Sequence, residues 1–140
     1  MVTNLKKQMD IFLDTIDLEI INEYFEIGIL AGVTTNPTLA KRFNMKDDIE
    51  MIKEVRSVMK EGEIHVEAFG DNVEEIVNNA HRILDKSQDE NLVFKIPFSK
   101  SGVKSVNNLK KHNLKTNLHL IFSINQALIA SSIETNYICP

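Results

Sequence analysis

Residues 91–97 read NLVFKIP, an apolar run of β-strand length that contains a single lysine. Side chains alternate between the two faces of a strand, so Leu92, Phe94 and Ile96 share one face and Lys95 lies on the other. Strands that are apolar on both faces are typical of parallel sheets covered by helices. A lysine inside such a strand is costly, so its position predicts either a specific partner or a function.

Five further short runs predict strands, and amphipathic stretches separate them. From 73 to 84, apolar residues recur at three and four positions, which indicates a helix packed on a sheet. Side-chain capping patterns predict helix starts at Asp47 with Glu50, Asp71 with Glu74, and Ser123 with Gln126, and Pro37 suits a first helical position. The five strand runs are DIFLD (10–14), AGVTT (31–35), EIHVEAF (63–69), KTNLHLIF (115–122) and NYICP (136–140).

Strand and helix alternate every 20 to 30 residues or so, which predicts right-handed βαβ units and one parallel sheet. The glycine patterns of nucleotide-binding open sheets, GxGxxG and GxxxxGK, are absent from the sequence. The α/β class expected is therefore a parallel (β/α)₈ barrel. Such a barrel usually needs about 250 residues. We accordingly expect residues 9–140 to supply about the first six units of a single barrel domain, and residues 1–8 to form an N-terminal extension.

Composition narrows the functional classes. The chain of 140 residues is 43% hydrophobic and 26% charged, with a net charge of −4 and one cysteine. This profile indicates an ordinary globular domain and gives no electrostatic reason to expect nucleic acid or an anionic membrane as a partner. A lone cysteine forms no internal disulfide, and no apolar run reaches membrane-spanning length, so the expected location is cytoplasmic.

Polar side chains recur near the carboxyl ends of the predicted strands, the end at which barrel enzymes place their active sites. Individually, such residues are more often helix caps or outward-reaching side chains. Together they offer a lysine that an apolar interior could deprotonate, carboxylates for proton transfer, and groups that orient a hydroxylated substrate. This set is suited to a Schiff-base aldolase, and its members are Asp14, Thr34, Asn36, His65, Glu67, Lys95, Asn117 and His119.

Four segments carry a specific resemblance: F-L-D-T, A-G-V-T-T-N-P-T, F-K-I-P and L-I-F-S-I-N-Q-A. In order and spacing, the chain resembles small transaldolases and fructose-6-phosphate aldolases over roughly residues 9–140. The resemblance implies that Lys95 forms an imine with a ketose phosphate and that Asp14 exchanges the proton on the hydroxyl next to the breaking C–C bond. It implies a sugar-phosphate substrate, no cofactor and no metal.

The same resemblance assigns substrate contacts and a branch. Thr34 and Asn36 would orient the dihydroxyacetone unit, and Asn117 would contact substrate. Glu67 matches a glutamate of the transaldolase branch, where the aldolase branch carries glutamine. Two positions depart from the family pattern: His119 replaces a threonine that helps to hold a catalytic water, and Cys139 replaces a serine or alanine of strand six. We expect both residues to belong to the substrate-binding site. The phosphate-binding arginine of the family would fall beyond Pro140.

Two alternatives remain open at this point. One is a catalytically inactive, truncated barrel that folds or acts only through self-association, because six strands leave two unpaired sheet edges. The same reasoning predicts a homo-oligomer. The other is a metal-dependent barrel hydrolase that uses His65, Glu67 and His119 as ligands.

Overall fold

The structure, a computed structural model, describes residues 9–140, so the predicted extension 1–8 lies outside it. Strands and helices alternate along the described chain, with two helices between the second and third strands. In chain order the elements are β1 (Ile11–Leu13), α1 (Leu18–Glu26), β2 (Leu30–Thr34), α2 (Pro37–Arg42), α3 (Asp48–Val58), β3 (Glu63–Glu67), α4 (Val73–Ser87), β4 (Leu92–Pro97), α5 (Lys100–Lys111), β5 (Lys115–His119), α6 (Ile124–Ser132) and β6 (Tyr137–Cys139).

The six strands form one parallel sheet in the order β1-β2-β3-β4-β5-β6. The sheet curls so far that side chains of its two edge strands meet, with the ring centroids of Phe12 in β1 and Tyr137 in β6 5.7 Å apart. This is a partial (β/α) barrel, as the sequence predicted. The predicted strands are all present, but β5 ends at His119 rather than at residue 122. Leu120 adopts a left-handed conformation (φ 60°), which takes the chain out of the ladder.

The main apolar core lies between the outer face of the sheet and the helices. Ile64, Phe94, Ile96 and Leu118 are fully buried on that face. Their burial confirms the predicted alternation, because the strand neighbours of these residues face the interior of the curled sheet. Each such side chain contributes about 1.5–3 kcal/mol through removal of apolar surface from water. The packing therefore fixes which side chains of each strand face the interior.

Helix caps follow the sequence patterns with one exception. Asp47 and Ser123 cap α3 and α6, and Pro37 occupies the first turn of α2, as predicted. The predicted pair Asp71 and Glu74 is wrong by one residue. Asn72 is the cap of α4, its Oδ1 accepting from the Glu75 amide at 3.0 Å, while the Glu75 carboxylate accepts from the Asp71 amide at 2.8 Å. Within residues 9–140, no helix has the length and apolar character that crossing a bilayer requires.

The amino-terminal end of the interior is filled by a polar and aromatic network. The Glu63 carboxylate accepts from Lys115 Nζ at 2.5 Å and from the Tyr137 hydroxyl at 2.6 Å. It also lies 3.4 Å from His65 Nε2, and the His65 ring packs against Phe12 and Tyr137. Burial alone would raise the pKa of Glu63, but the hydrogen bonds from His65, Lys115 and Tyr137 lower it to about 2. Burial and the Glu63 carboxylate raise the pKa of the Tyr137 hydroxyl.

This network predicts acid-sensitive stability. The folded-state pKa of Glu63 lies below its usual value of 4.5. Its stabilisation is therefore complete above about pH 4.5 and is lost as the pH falls towards 2. After allowance for solvent screening, we expect about 2 kcal/mol from this group. Urea unfolding at a series of pH values should show wild type and Glu63→Gln converging in stability by about that amount between pH 6 and pH 2. A constant difference would contradict the assignment.

Both edges of the sheet expose apolar side chains. Ile11 in β1 is 40% exposed and Ile138 in β6 is 39% exposed, and Phe122, Ile124 and Leu128 are more exposed still. Unpaired strand edges with apolar neighbours favour association. Self-association therefore stays a prediction, to be checked by sedimentation.

Candidate active site

A cleft of about 580 Å³ opens at the carboxyl ends of the strands. Five of the predicted site residues contribute to its wall, so strands distant in sequence converge on one place as expected. The lining residues are Asp14, Asn36, Pro37, Thr38, Leu39, Glu67, Lys95, His119 and Leu120.

Lys95 occupies the centre of this arrangement. In the register of β4 with its neighbours it pairs with Glu67 on β3 and Asn117 on β5, so the three side chains form one row on the interior face. The lysine is only 6% exposed, and its Nζ donates to the main-chain oxygen of Thr35 at 3.0 Å. A lysine ammonium has three donors, and this contact uses one. Among residues 9–140 this is its one hydrogen bond, which leaves the amine two further donors.

Asp14 and Thr34 join the ends of β1 and β2. The Thr34 hydroxyl donates to Asp14 Oδ1 at 2.7 Å. This bond orients the carboxylate, which faces the cleft from the segment that follows β1. One carboxylate oxygen remains for a proton from substrate, as a general base requires.

Asn36 is both a cleft residue and a helix cap. Its Oδ1 accepts from the Leu39 amide at 2.9 Å and so caps α2. Helix capping, the usual role of an asparagine at the end of a strand, is therefore observed here. Because the cap engages the oxygen, only the Nδ2 amide group is free to donate to a substrate hydroxyl.

Glu67 and His119 face each other across the cleft. The distance from Glu67 Oε1 to His119 Nε2 is 3.5 Å, within the range of an ion pair when the imidazole is protonated. The geometry does not meet that of a hydrogen bond, and His119 Nε2 is buried with no hydrogen-bond partner among residues 9–140. The sequence reasoning that placed both on the interior face thus agrees with the structure.

Three predicted site residues do not line the cleft: Thr34, which bonds to Asp14, and the two residues Asn117 and Cys139. Asn117 is 4% exposed, and its Nδ2 lies 3.0 Å from His65 Nδ1, deeper in the interior. Cys139 pairs in register with His119 but does not line the cleft.

Sequence reasoning missed Thr35 and the role of Glu63. Alternation places Thr35 opposite the interior, but it is the Thr35 carbonyl oxygen that receives Lys95, while the Thr35 hydroxyl donates to the His65 oxygen at 2.8 Å. Side-chain patterns carry no signal for a main-chain acceptor. The sequence did indicate Glu63, because it lies on the same strand as His65 and alternation places both side chains on one face.

The three metal ligands suggested for a metal-dependent hydrolase, His65, Glu67 and His119, are not grouped together. His65 contacts Glu63 and Asn117, whereas His119 lies beside Glu67. In the part of the chain that the structure describes, no three His, Cys, Asp or Glu side chains are grouped so as to hold a metal ion.

Comparisons with known proteins match almost the whole chain. A family model described as transaldolase/fructose-6-phosphate aldolase matches residues 11–140. Three curated relatives, each named "Probable transaldolase", come from Methanococcus vannielii, a Thermoanaerobacter species and Clostridium botulinum. They are 42%, 38% and 41% identical to this chain over 132 residues, which is 94% of its length. The match covers 60%, 59% and 60% of those relatives, respectively.

Proposed function

Because the chain belongs to the transaldolase/fructose-6-phosphate aldolase family, we propose that it cleaves and forms a C–C bond of a ketose phosphate through a Schiff base on Lys95. The observation that carries this proposal is the placement of Lys95, a 6% exposed amine on the interior face of an apolar strand, at the wall of an open cleft. Such a lysine needs a purpose that offsets its burial, and a nucleophilic amine is one.

The proposed reaction uses Lys95 as the nucleophile and Asp14 as the general base. The neutral amine of Lys95 adds to the ketone carbon, and loss of water gives a protonated imine. Asp14 takes the proton of the hydroxyl on the far side of the scissile bond. That carbon becomes an aldehyde and leaves, while the bonding electron pair moves into the iminium group and forms an enamine. The enamine carbon then attacks an acceptor aldehyde or takes up a proton, which restores the imine. Hydrolysis of this imine frees Lys95. Asn36 and Asn117 support the reaction through their amide groups, which orient the hydroxyls of the bound substrate.

Glu67 favours transfer to an acceptor over simple release. The resemblance places a glutamate at this position in the transaldolase branch and a glutamine in the aldolase branch. Only a carboxylate can accept a proton at neutral pH, so Glu67 supports proton movement through a bound water. The proposed donor unit is dihydroxyacetone and the proposed acceptor an aldose phosphate.

The function is tested by incubating the protein with fructose 6-phosphate, with and without an aldose phosphate acceptor. Glyceraldehyde 3-phosphate released only with the acceptor identifies transfer, and release without it identifies an aldolase. Since the chain spans about 60% of the length of its curated relatives, two samples are needed. One is the 140-residue chain, and the other is a chimera, in which this chain is joined to the part of a relative that the match leaves uncovered. No release from either sample would contradict the proposal.

Replacing Glu67 by glutamine should shift the chimera from transfer towards release. The amide keeps the shape of the side chain but cannot carry a proton. We expect acceptor-dependent turnover to fall at least tenfold, within the range of a lost general acid–base group, while free dihydroxyacetone rises. Glu90→Gln, at an exposed position before β4, is the matched control and should leave the product ratio unchanged. An unchanged ratio in Glu67→Gln would remove Glu67 from the proton pathway.

A catalytically silent chain that acts only through self-association is the second candidate. The exposed apolar side chains at both sheet edges favour it. Formation of an imine on Lys95 in the 140-residue chain would exclude this second candidate. Association without any imine, in the chain and in the chimera, would favour it.

A further inference from the structure

A buried polar chain lies beneath the cleft, and the proposed reaction assigns no role to its first two members, Glu63 and His65. It begins at Glu63, passes through His65 and ends at Asn117, the register partner of Lys95. His65 is 1% exposed and Asn117 is 4% exposed. Burial of polar and titratable groups costs free energy, so this chain calls for an explanation. The contacts are Lys115 Nζ to Glu63 at 2.5 Å, Tyr137 Oη to Glu63 at 2.6 Å, His65 Nε2 to Glu63 at 3.4 Å and Asn117 Nδ2 to His65 Nδ1 at 3.0 Å.

The carboxylate determines which ring nitrogen of His65 bears hydrogen. Two donors other than His65, Lys115 Nζ and the Tyr137 hydroxyl, bind the Glu63 carboxylate and lower its pKa, and an ionised carboxylate only accepts. His65 Nε2 must therefore carry a hydrogen. A neutral imidazole has a single N–H, so Nδ1 is left as an acceptor. Asn117 can satisfy that acceptor only with its NH₂ group, which is the orientation that the 3.0 Å contact describes.

This orientation leaves a free acceptor next to free donors. With Nδ2 at His65, the amide oxygen of Asn117 is turned away from the ring, and it is buried without a hydrogen-bond partner among residues 9–140. Lys95 lies beside Asn117 on the same interior face and uses one of its three donors, on the Thr35 oxygen. An unpaired buried oxygen and a neighbouring amine are complementary. A hydrogen bond from Lys95 would satisfy the amide oxygen of Asn117, the acceptor that the network leaves without a partner.

We propose that Glu63 and His65 are positioning residues, which hold Asn117 with its amide oxygen, and not its NH₂ group, available to Lys95 and to the imine N–H formed on it. The catalytic part of this inference rests on the proposed function. The orientation itself does not. If the amide were reversed, its two donors would face the donors of Lys95, and the cationic imine would lose an acceptor at a buried site.

The tautomer of His65 is measured directly by ¹⁵N NMR of the histidine-labelled 140-residue chain at pH 8. The chain has four histidines, and His65→Gln assigns the signal. We expect hydrogen on Nε2 and a bare Nδ1 in wild type, and a mixture in which Nδ1–H is populated in Glu63→Gln. Tyr137→Phe, which removes one donor but leaves the carboxylate, is the control and should keep Nε2–H. Hydrogen on Nδ1 in wild type, alone or with Nε2, overturns the proposal whether or not Glu63→Gln folds.

A double-mutant cycle tests the link to Lys95. In the chimera, Glu63→Gln should lower kcat about tenfold with KM little changed, but should have less than a twofold effect when Asn117→Ala is already present. Equal losses in both backgrounds would show a general structural role and overturn the positioning assignment. If the wild-type protein forms no imine at all, the proposed function fails, and the NMR result alone decides the orientation of Asn117.

Discussion

Turnover of fructose 6-phosphate is expected to be abolished, by on the order of 10⁴-fold or more, when Lys95 is replaced by methionine. Methionine fills a similar volume in a buried strand, so the fold should persist and removal of a buried amine should not destabilise it. The loss follows because Lys95 is the one amine among the residues of 9–140 that line the cleft. Residual activity would come only from binding and from the electrostatics of the remaining side chains. Steady-state release of glyceraldehyde 3-phosphate by the chimera is the measurement.

Two further lysine variants sharpen this prediction. Lys95→Arg keeps the positive charge but stays protonated, so it should be as inactive as methionine. Lys100→Met removes an exposed lysine at the start of α5 and should retain wild-type rates. Activity within tenfold of wild type in either Lys95 variant would exclude an imine at this position.

Asp14→Asn should lower the rate of C–C cleavage by about 10²–10⁴-fold while leaving the imine able to form. The asparagine side chain has nearly the same shape, and its oxygen can still accept from Thr34 at the position now 2.7 Å away. It cannot take a proton from the substrate hydroxyl. Borohydride trapping should therefore remain near wild type with dihydroxyacetone, whereas glyceraldehyde 3-phosphate release should collapse.

Thr34→Val is the companion variant, because it removes the hydroxyl that orients Asp14 without removing the carboxylate. Its effect should be smaller, about tenfold, as expected for one lost hydrogen bond to a charged group. If Asp14→Asn loses imine formation and cleavage in parallel, the residue supports binding or folding and not the proton transfer proposed for it.

Strand positions and interior-facing residues could be predicted from the sequence because burial on both faces of a parallel sheet leaves a strong pattern. In β4, Leu92, Phe94 and Ile96 face the helices and Lys95 the interior, as alternation required. The convergence of Asp14, Glu67 and Lys95 followed from the same pattern, since parallel strands bring their carboxyl ends to one edge.

Features that depend on one residue of backbone geometry could not be predicted. The cap of α4 shifted from Asp71 to Asn72 because both residues can cap and only the local dihedral angles distinguish them. The end of β5 moved because Leu120 adopts a left-handed conformation that an aliphatic residue rarely takes. Likewise, the Thr35 carbonyl that receives Lys95 belongs to the main chain, which a residue pattern does not describe.

Covalent trapping tests the assignment of the Schiff base most directly. The 140-residue chain and the chimera are each treated with borohydride in the presence of dihydroxyacetone or fructose 6-phosphate, and the modified peptide is located by mass spectrometry. We predict a single adduct on Lys95 that is lost in Lys95→Arg. An adduct on Lys100 or Lys115 instead, or none in a chimera that unfolds cooperatively, would contradict it.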